Sequence, residues 1–468
     1  MYAFKQINSE AEFKRSFEFL ARHWWIHNFP VTKILKNKCL EKIPDDWLLY
    51  LQNISIAELN TLPLCNTREF LKNPSWPPSL QEFFSEASLS LNHAQYQEGK
   101  AIDIDCSMAR GMSVKKLHEV SRMAPLVDDI VRQGNCNLIL DIGSGLGYLA
   151  HVLHKVYGHR VVGLETSESH LTSAEHRAVN QGITCSGFKS VKFNLTQDAD
   201  CMERLEKLIE ELATSLQVSC SHVTQESKGQ LPGAELTDSK LEPRVCLIGL
   251  HCCGDLSSAV LSMFNAVSCV RALCCVCCCY HKMAYSEGCF LNFPMSQMAK
   301  IQYIEVKHIH PNWHVSPYTL RIGAQQTRGS WENQNRADHE THTRHVAFRA
   351  LLEMLEYEDS KDLRQRVRKS DFSSFTAFLD TCFPLQESVK NATYRAKLID
   401  LHKEHEKLFD LIEVFTCFQV ILQPLIETMV YRDRVQWLLE KGHSDVQVVS
   451  VFDDKISPRN LAIVANKR

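Results

Sequence analysis

A glycine-rich segment is the clearest candidate for chemistry in this sequence of 468 residues. It contains Gly143, Gly145 and Gly147, and Asp141 stands two positions before the first of them. Glycines in a tight turn let a ligand approach the backbone closely. A dinucleotide-binding loop needs a third glycine where this chain has Tyr148, and an acid such as Asp141 would repel a pyrophosphate. The segment therefore favours a ligand that carries positive charge, such as an amino group or a sulfonium.

Strand and helix patterns alternate on either side of this loop. Short apolar runs predict strands, and longer segments with helical periodicity predict helices. The predicted strands are 138–140, 161–164, 191–193, 245–250 and 272–279, and the predicted helices are 113–132, 148–157, 167–180, 202–216 and 256–267. The first helix is expected to break or restart at Pro125. This alternation predicts an α/β fold with a mostly parallel, doubly wound sheet, and the residues at 446–465 predict an antiparallel C-terminal hairpin.

An acidic residue, Glu165, ends the second predicted strand. Together with Asp141 and the glycines, it resembles motif I of the class I S-adenosylmethionine methyltransferases, in which an acid at this position binds both ribose hydroxyls. The resemblance implies a Rossmann-like sheet that ends in an antiparallel hairpin, and S-adenosyl-L-methionine as the cofactor. The residues it implies for cofactor binding are Asp141, Gly143, Ser144, Gly145, Gly147, Glu165 and Leu250.

Several shorter strings resemble the methyltransferase-like protein 25 family. They are MSVKKLHE at 112–119, GLHCCGDLS at 249–257, CCYHK at 278–282, DR at 433–434 and SPRN at 457–460. The family includes a paralogue named for a ribosomal RNA adenine dimethylase domain, so the resemblance implies a methyltransferase whose acceptor is not assigned. Amino-directed nucleobase methyltransferases carry an Asn or Asp, prolines and an aromatic residue after the fourth strand. The string LHCCGD replaces that pattern here, which disfavours N6-adenine dimethylation.

The residues after the fourth and fifth predicted strands are the candidates for acting on the acceptor. These strands are neighbours in the usual order, and cofactor and substrate meet at their carboxyl ends. His251 could orient or deprotonate a nucleophile, and Tyr280 could stack on the acceptor or hydrogen-bond to it. A purely structural role for His251 stays open. The predicted substrate-binding residues are Lys115, Lys116, Asp255 and His281, although the two lysines also fit a solvated helix face.

The cysteines are concentrated, with ten of the 19 between Cys246 and Cys289. A disulfide framework belongs to small secreted domains, and residues 1–14 lack the apolar core of a signal peptide. We therefore expect an intracellular protein, cytoplasmic or nuclear, with no disulfide partner and no membrane. Most strand cysteines are expected to pack as small apolar residues, and no metal is expected. The alternative is a metal or redox site built from His251, Cys252, Cys279 and His281.

The chain divides into four expected parts. They are a helical N-terminal region at 1–110, a methyltransferase core at 111–289 with a polar insertion at 219–243, a large helical insertion at 290–442, and the hairpin at 443–468. A basic run with following aromatics, at 364–375, fits either a nucleic-acid backbone or a solvated helix face.

The composition is that of an ordinary globular protein, with 44% hydrophobic and 23% charged residues and a formal charge of −3. These values argue against wholesale disorder and against a histone-like nucleic-acid binder. The sequence as a whole predicts a methyltransferase whose acceptor is unknown. A macromolecule is favoured over a small molecule as the acceptor, and RNA is slightly favoured over protein. The alternatives are a catalytically inactive module that binds the cofactor and interacts with partners, and a metal or redox protein that uses the cysteines.

Overall fold

The computed structural model describes residues 9–64, 76–89, 99–215, 242–325, 327–355 and 361–467. Nearly all of the predicted polar insertion at 219–243 lies outside these ranges. The chain forms two compact units. We call Met1–Lys14, Asn92–Ile309 and Thr428–Arg468 the sheet unit, and Arg15–Leu91 and His310–Glu427 the helical unit. The four-part division expected from the sequence stays a prediction, and its 290–442 segment contributes residues to both units.

The sheet unit is organised around a seven-stranded sheet. Its strand order is β3-β2-β1-β4-β5-β9-β8, and β6 and β7 form a separate two-stranded ladder. The strands are β1 (Leu138–Ile142), β2 (Val161–Glu165), β3 (Phe188–Lys192), β4 (Val245–Cys253), β5 (Val270–Cys278), β6 (Tyr285–Ser286), β7 (Cys289–Phe290), β8 (Asp445–Ser450) and β9 (Leu461–Asn466). The pairs from β3 to β5 are parallel, and β9 is antiparallel to both of its neighbours. The predicted Rossmann-like α/β fold with its C-terminal hairpin is confirmed.

Nineteen α-helices are found in the described residues. They are α1 (Ser9–Arg22), α2 (Trp24–His27), α3 (Asp45–Leu51), α4 (Ile56–Thr61), α5 (Pro78–Leu89), α6 (Cys106–Ala109), α7 (Val114–Gln133), α8 (Tyr148–Tyr157), α9 (Glu168–Asn180), α10 (Ala199–Ser215), α11 (Leu256–Ala266), α12 (Gln297–Ile309), α13 (Pro317–Gly323), α14 (Arg328–Glu332), α15 (Arg336–Met354), α16 (Lys361–Lys369), α17 (Phe375–Cys382), α18 (Val389–His405) and α19 (Ile412–Glu440). Short 3₁₀ helices cover Val31–Lys33, Leu40–Lys42, Leu62–Leu64, Tyr280–Lys282 and Glu406–Leu411.

Helix α7 passes through Pro125 without the predicted break. A proline inside a helix cannot donate to the carbonyl four residues earlier, which is that of Ser121. Here the backbone N–H of Ile102 donates to the Ser121 carbonyl at 3.1 Å. Because another part of the chain satisfies that oxygen, the helix continues, and its first turn can reach the carboxyl edge of the sheet.

The central strands are buried on both faces, which explains their continuous apolar sequences. All five residues of β1 are buried, as are eight of the nine residues of β5. Cysteines pack inside these strands as small apolar side chains, because Cys246, Cys274 and Cys275 are fully buried. The sheet therefore forms a rigid layer, and its carboxyl edge is the place where polar side chains gather.

The helical unit has a polar network within its apolar core. His339 of α15 contacts Glu413 at 2.5 Å through Nδ1 and Asn60 at 2.8 Å through Nε2. Both ring nitrogens are thereby satisfied, which fits a structural histidine.

The apolar stretch that includes α18 and α19, Val389–Glu440, is long and apolar enough to cross a membrane by length and composition alone. However, 89% of its most apolar window is buried within the protein, as in the core helix of a globular domain.

Candidate functional site

The glycine loop connects β1 to α8 through three left-handed residues. Gly143, Gly145 and Gly147 have φ angles of +68°, +55° and +73°, which residues with a Cβ rarely adopt. The N–H of Gly143 donates to the Leu164 carbonyl at 2.8 Å, so the loop is anchored to β2. A Cβ added at Gly145 would meet no atom within 4 Å. The loop thus leaves open space beside its backbone at the position where the motif predicts a ligand.

The carboxylate of Glu165 connects the end of β2 to this loop. One oxygen accepts the N–H of Gly145 at 3.0 Å, and the other accepts the N–H groups of Thr166 at 2.8 Å and Ser167 at 3.0 Å. Burial raises the pKa of Glu165, but these backbone hydrogen bonds outweigh that effect and leave it below its usual value. Glu165 is therefore an anionic group, held in place at the loop.

Asp141 is buried beneath the loop, at 2% exposure. Burial raises its pKa to about 7, the charge of Lys116 opposes that rise, and the negative charge of Glu165 adds to it. A nearby positive group would stabilise the ionised form of this buried carboxyl group. That property fits the predicted ligand with an amino group or sulfonium.

An open cavity of about 670 Å³ lies at the carboxyl edge of the sheet, beside these acids. Its lining includes Gly143 and Glu165, which follow β1 and end β2, and His251 and Asp255, which lie in and after β4. The remaining lining residues are Ile142, Leu164, Thr166, Phe193, Asn194, Leu195, Thr196, Gln197, Cys253, Leu256, Ala259, Lys282 and Asn292. Its volume lies within the range of cofactor-sized pockets.

His251 lies inside β4 and not in a loop after it, because the strand runs to Cys253. The pairing of β4 with β5 is irregular between Gly249 and Cys252, and a Cβ on Gly249 would approach the Cys252 sulfur to 2.3 Å. Glycine thus permits a bulge that extends the strand beyond the predicted end at position 250. The bulge places the half-exposed His251 side chain at the cavity.

A buried carboxylate, Glu119 of α7, holds the His251 ring. Glu119 is fully buried and lies 3.1 Å from His251 Nε2, 3.0 Å from Lys116 Nζ and 3.7 Å from Lys115 Nζ. The Ser457 hydroxyl also donates to it at 2.8 Å. Burial raises the pKa of Glu119, but the hydrogen bond and charge of His251, together with Lys116, lower it to about 2. Glu119 is therefore ionised and accepts the His251 N–H.

Glu119 and Ser457 are the functional candidates that the sequence analysis did not select. Both lie inside strings that resemble the methyltransferase-like protein 25 family, at 112–119 and 457–460. Glu119 is also spaced i,i+3 from Lys116, which is the spacing of a helical ion pair. The family-like string and the spacing from Lys116 could have identified Glu119 as a candidate from the sequence. Its contact with His251 depends on the tertiary fold.

The other predicted residues occupy different environments. Ser144 packs against β2, since its Oγ lies 2.6 Å from where a Gly163 Cβ would be. Leu250 belongs to the apolar core of the sheet unit. Tyr280 is buried, with its ring 6.3 Å from that of Tyr431. None of these three side chains lines the cavity described above.

Asp255 and His281 follow the ends of β4 and β5, respectively. Asp255 precedes α11 but does not cap it, because its carboxylate accepts from the Ala284 N–H at 2.6 Å and from Asn292 Nδ2 at 2.8 Å. His281 is half-buried in the 3₁₀ turn after β5, where Lys282 reaches the cavity. Through these hydrogen bonds, Asp255 holds the segment after β5 next to the cavity.

Three thiols meet at the same edge, and they share only Cys279 with the metal set that the sequence offered as an alternative. They belong to Cys253, Cys278 and Cys279. A hydrogen bond from Cys278 lowers the pKa of Cys253 to about 6, while the same bond raises the pKa of Cys278. Cys253 is the exposed member of the group.

Comparison with known proteins agrees with this arrangement. Residues 115–286 match a family model described as a methyltransferase domain. Residues 115–286 are therefore similar to methyltransferase domains. The matched segment includes the glycine loop, Glu119, Glu165, His251 and the three thiols.

Two curated relatives extend the similarity beyond this segment to most of the chain. The mouse "Probable methyltransferase-like protein 25" is 23% identical over 81% of this chain and 79% of its own length. The human protein of the same name is 22% identical over 76% of this chain and 75% of its own length. The resemblance to the methyltransferase-like protein 25 family that the sequence strings predicted is thereby confirmed.

Proposed function

We propose that this protein is an S-adenosyl-L-methionine-dependent methyltransferase that acts on a macromolecule. RNA is slightly favoured over protein as the acceptor. The observation that carries the proposal is the contact of Glu165 with the Gly145 N–H at the mouth of a cavity of cofactor size. It joins the two parts of the motif that the family uses for this cofactor. The methyltransferase domain match supports the reaction class.

The residues around the loop fit this cofactor. The open space beside Gly145 leaves room for its methionine end. Burial raises the pKa of Asp141 to about 7, and a positively charged amino group or sulfonium nearby would favour its ionised form. Glu165 would accept the ribose hydroxyls through the oxygen that now accepts only one backbone N–H. When bound, the cofactor supplies an electrophilic methyl group whose leaving group needs no further activation. The protein then has mainly to position the acceptor and exclude water.

His251 is the residue best suited to receive a proton from an acceptor. Its Nε2–H donates to the ionised Glu119, which leaves Nδ1 as the ring nitrogen able to accept a proton. Glu119 fixes the tautomer and the orientation of the ring, as an outer carboxylate does for catalytic histidines. Glu119 is thus a positioning residue in this proposal, and His251 is the base.

The large helical insertion and the N-terminal region favour a macromolecular acceptor, and the preference for RNA rests on the naming of the resembling paralogue. The basic helix α16 adds limited support, because Arg366 is paired with Asp362 at 2.8 Å and with Glu387 at 2.6 Å. Arg368 and Lys369 of the same helix are exposed.

The experiment uses cofactor labelled in its methyl group, incubated with purified protein and extract from cells that lack the protein. Products are then digested with nuclease or protease in parallel. Label lost on nuclease treatment supports the proposal. Label lost only to protease, or resistant to both, assigns a protein or small-molecule acceptor instead. Cofactor binding without any transfer would support the inactive binding module.

Glu165 and His251 are expected to separate cofactor binding from transfer. Glu165→Ala removes a charge-assisted hydrogen bond to ribose, worth roughly 1.5–3 kcal/mol, so affinity for S-adenosylhomocysteine should fall about ten- to a hundredfold. Glu168→Ala is the matched control, because Glu168 is an exposed acid three residues away that pairs with Lys192. Titration calorimetry measures both affinities.

His251→Ala should leave cofactor affinity nearly unchanged and lower the single-turnover transfer rate by about a hundredfold or more, the range typical of general acid–base catalysis. The reason is position: His251 lies on β4 and Glu165 ends β2, and β1 separates these two strands in the sheet. Loss of cofactor binding by His251→Ala as large as that of Glu165→Ala would make His251 a cofactor ligand. A wild-type transfer rate would make it structural.

A further inference from the structure

Three cysteine side chains from neighbouring strands converge beside the cavity. Cys253 ends β4, Cys278 ends β5 and Cys279 follows it. Their Sγ atoms all lie within 4.8 Å of one another, and those of Cys253 and Cys278 are 3.1 Å apart. Cys253 also lines the cavity. Three sulfur donors at this spacing could share a single ion.

The backbone at Cys279 makes this convergence possible. Successive residues on a strand point to opposite faces, so Cys278 and Cys279 would normally diverge. Cys279 instead has φ +50° and ψ +45°, a left-handed conformation that residues with a Cβ seldom adopt. A disulfide between Cys253 and Cys278 would involve only two of the thiols. It would explain neither the position of the Cys279 thiol nor the left-handed backbone of Cys279. A site with three donors accounts for all of them.

We propose that Cys253, Cys278 and Cys279 bind one Zn²⁺ as three thiolates, and that a water molecule or an acceptor atom takes the fourth position. Zinc favours tetrahedral sulfur coordination, and sites with three protein ligands and one open position are typical of catalytic zinc. On binding, the thiols that still carry protons release them to solvent, and three thiolates with one divalent ion have a net charge of −1. The exposed Lys282 stands beside Cys253 on the cavity lining and compensates that charge.

The site gives the protein a second means of activating an acceptor. A zinc ion at Cys253 would share a cavity with His251 and Glu165, so an acceptor atom bound to it would lie in the same chamber as the cofactor. Zinc lowers the pKa of a bound water, and a bound thiol loses its proton outright. The zinc site itself goes beyond the proposed methyl transfer and does not depend on it, because it can be tested in the absence of cofactor.

The test uses the full chain, stripped of metal and kept reduced, and titrated with Zn²⁺ against a chromogenic chelator. We expect one zinc per chain. Cys253→Ser should weaken zinc affinity by at least about ten- to a hundredfold, since even losing a residue that only supports a ligand costs that much. Co²⁺ in place of Zn²⁺ should give a thiolate charge-transfer band that is weaker in the variant. Zinc should also slow alkylation of Cys253.

Cys253→Ser is the decisive variant, because an exposed side chain can be changed without opening the core. Cys289→Ser is the matched control, since Cys289 is also an exposed thiol but stands outside the group. Equal zinc affinity of wild type and Cys253→Ser would overturn the proposal. Failure of the reduced wild-type protein to bind zinc would also overturn it, whether or not Cys253 and Cys278 can form a disulfide when the protein is oxidised.

Discussion

Replacing Gly145 with arginine is expected to lower the affinity for S-adenosylhomocysteine by at least about a hundredfold, or about 3 kcal/mol. The added side chain would project from the loop into space that is open in the free protein. This is the space in which the methionine end of the cofactor would approach the backbone. The loss therefore comes from excluding the ligand, and titration calorimetry measures it directly.

The substitution also strains the backbone, and a second glycine controls for that effect. Gly182 has φ +72° and, like Gly145, has no atom within 4 Å of an added Cβ. Both arginine variants should lose about 1–2 kcal/mol of stability from the left-handed conformation. Only Gly145→Arg should lose the cofactor. If it binds S-adenosylhomocysteine as well as Gly182→Arg does, the assignment of the loop as the cofactor site is wrong.

Changing Glu119 to glutamine should lower the free energy of unfolding at pH 7 by on the order of 3 kcal/mol. Its pKa in the folded protein is about 2 against an ordinary value of 4.5, and each unit is worth about 1.36 kcal/mol. The folded pKa is the lower one, so the stabilisation is fully present above about pH 4.5. It is lost as the pH falls towards 2. Urea unfolding at several pH values between 7 and 3 measures it.

The variant should therefore lose stability less steeply than wild type as the solution is acidified. Glu168→Gln is the matched control, because the exposed Glu168 makes one surface ion pair and such pairs contribute little. In the transfer assay, Glu119→Gln should also slow methyl transfer without changing cofactor affinity. An unfolding free energy equal to that of wild type at pH 7 would contradict the role given to this carboxylate.

The local features of the fold were predictable from the sequence. The glycine turn and α8 (148–157) follow from spacing that is visible within a few residues, and the structure has the helix at Tyr148–Tyr157 as predicted. The C-terminal hairpin was equally visible as two apolar runs around a polar turn. The third strand was less well predicted, because β3 spans Phe188–Lys192 and its pattern is mixed in burial. Periodicity is informative only where one face is clearly apolar.

The arrangement of the site depended on contacts that the sequence does not display. Glu119 meets Ser457 across more than three hundred residues, and no local pattern specifies that pairing. The bulge in β4 and the left-handed Cys279 both depend on how neighbouring strands pack. The sequence therefore indicated that His251 and these cysteines lie at one edge of the sheet. The alternative metal set that it offered, His251, Cys252, Cys279 and His281, is not the set of thiols that converges.

The position of β9 in the sheet has a consequence for biosynthesis. Strand β5 pairs with β9 through residues such as Cys275 and Ile463, which are roughly 190 positions apart. At about 5–20 residues per second, a ribosome needs on the order of 10–40 s to make that interval. During this time one edge of a cysteine-rich apolar strand has no partner, and unpaired edges template aggregation. We expect nascent chains released before Leu461 to require chaperones, and the completed hairpin to end that requirement.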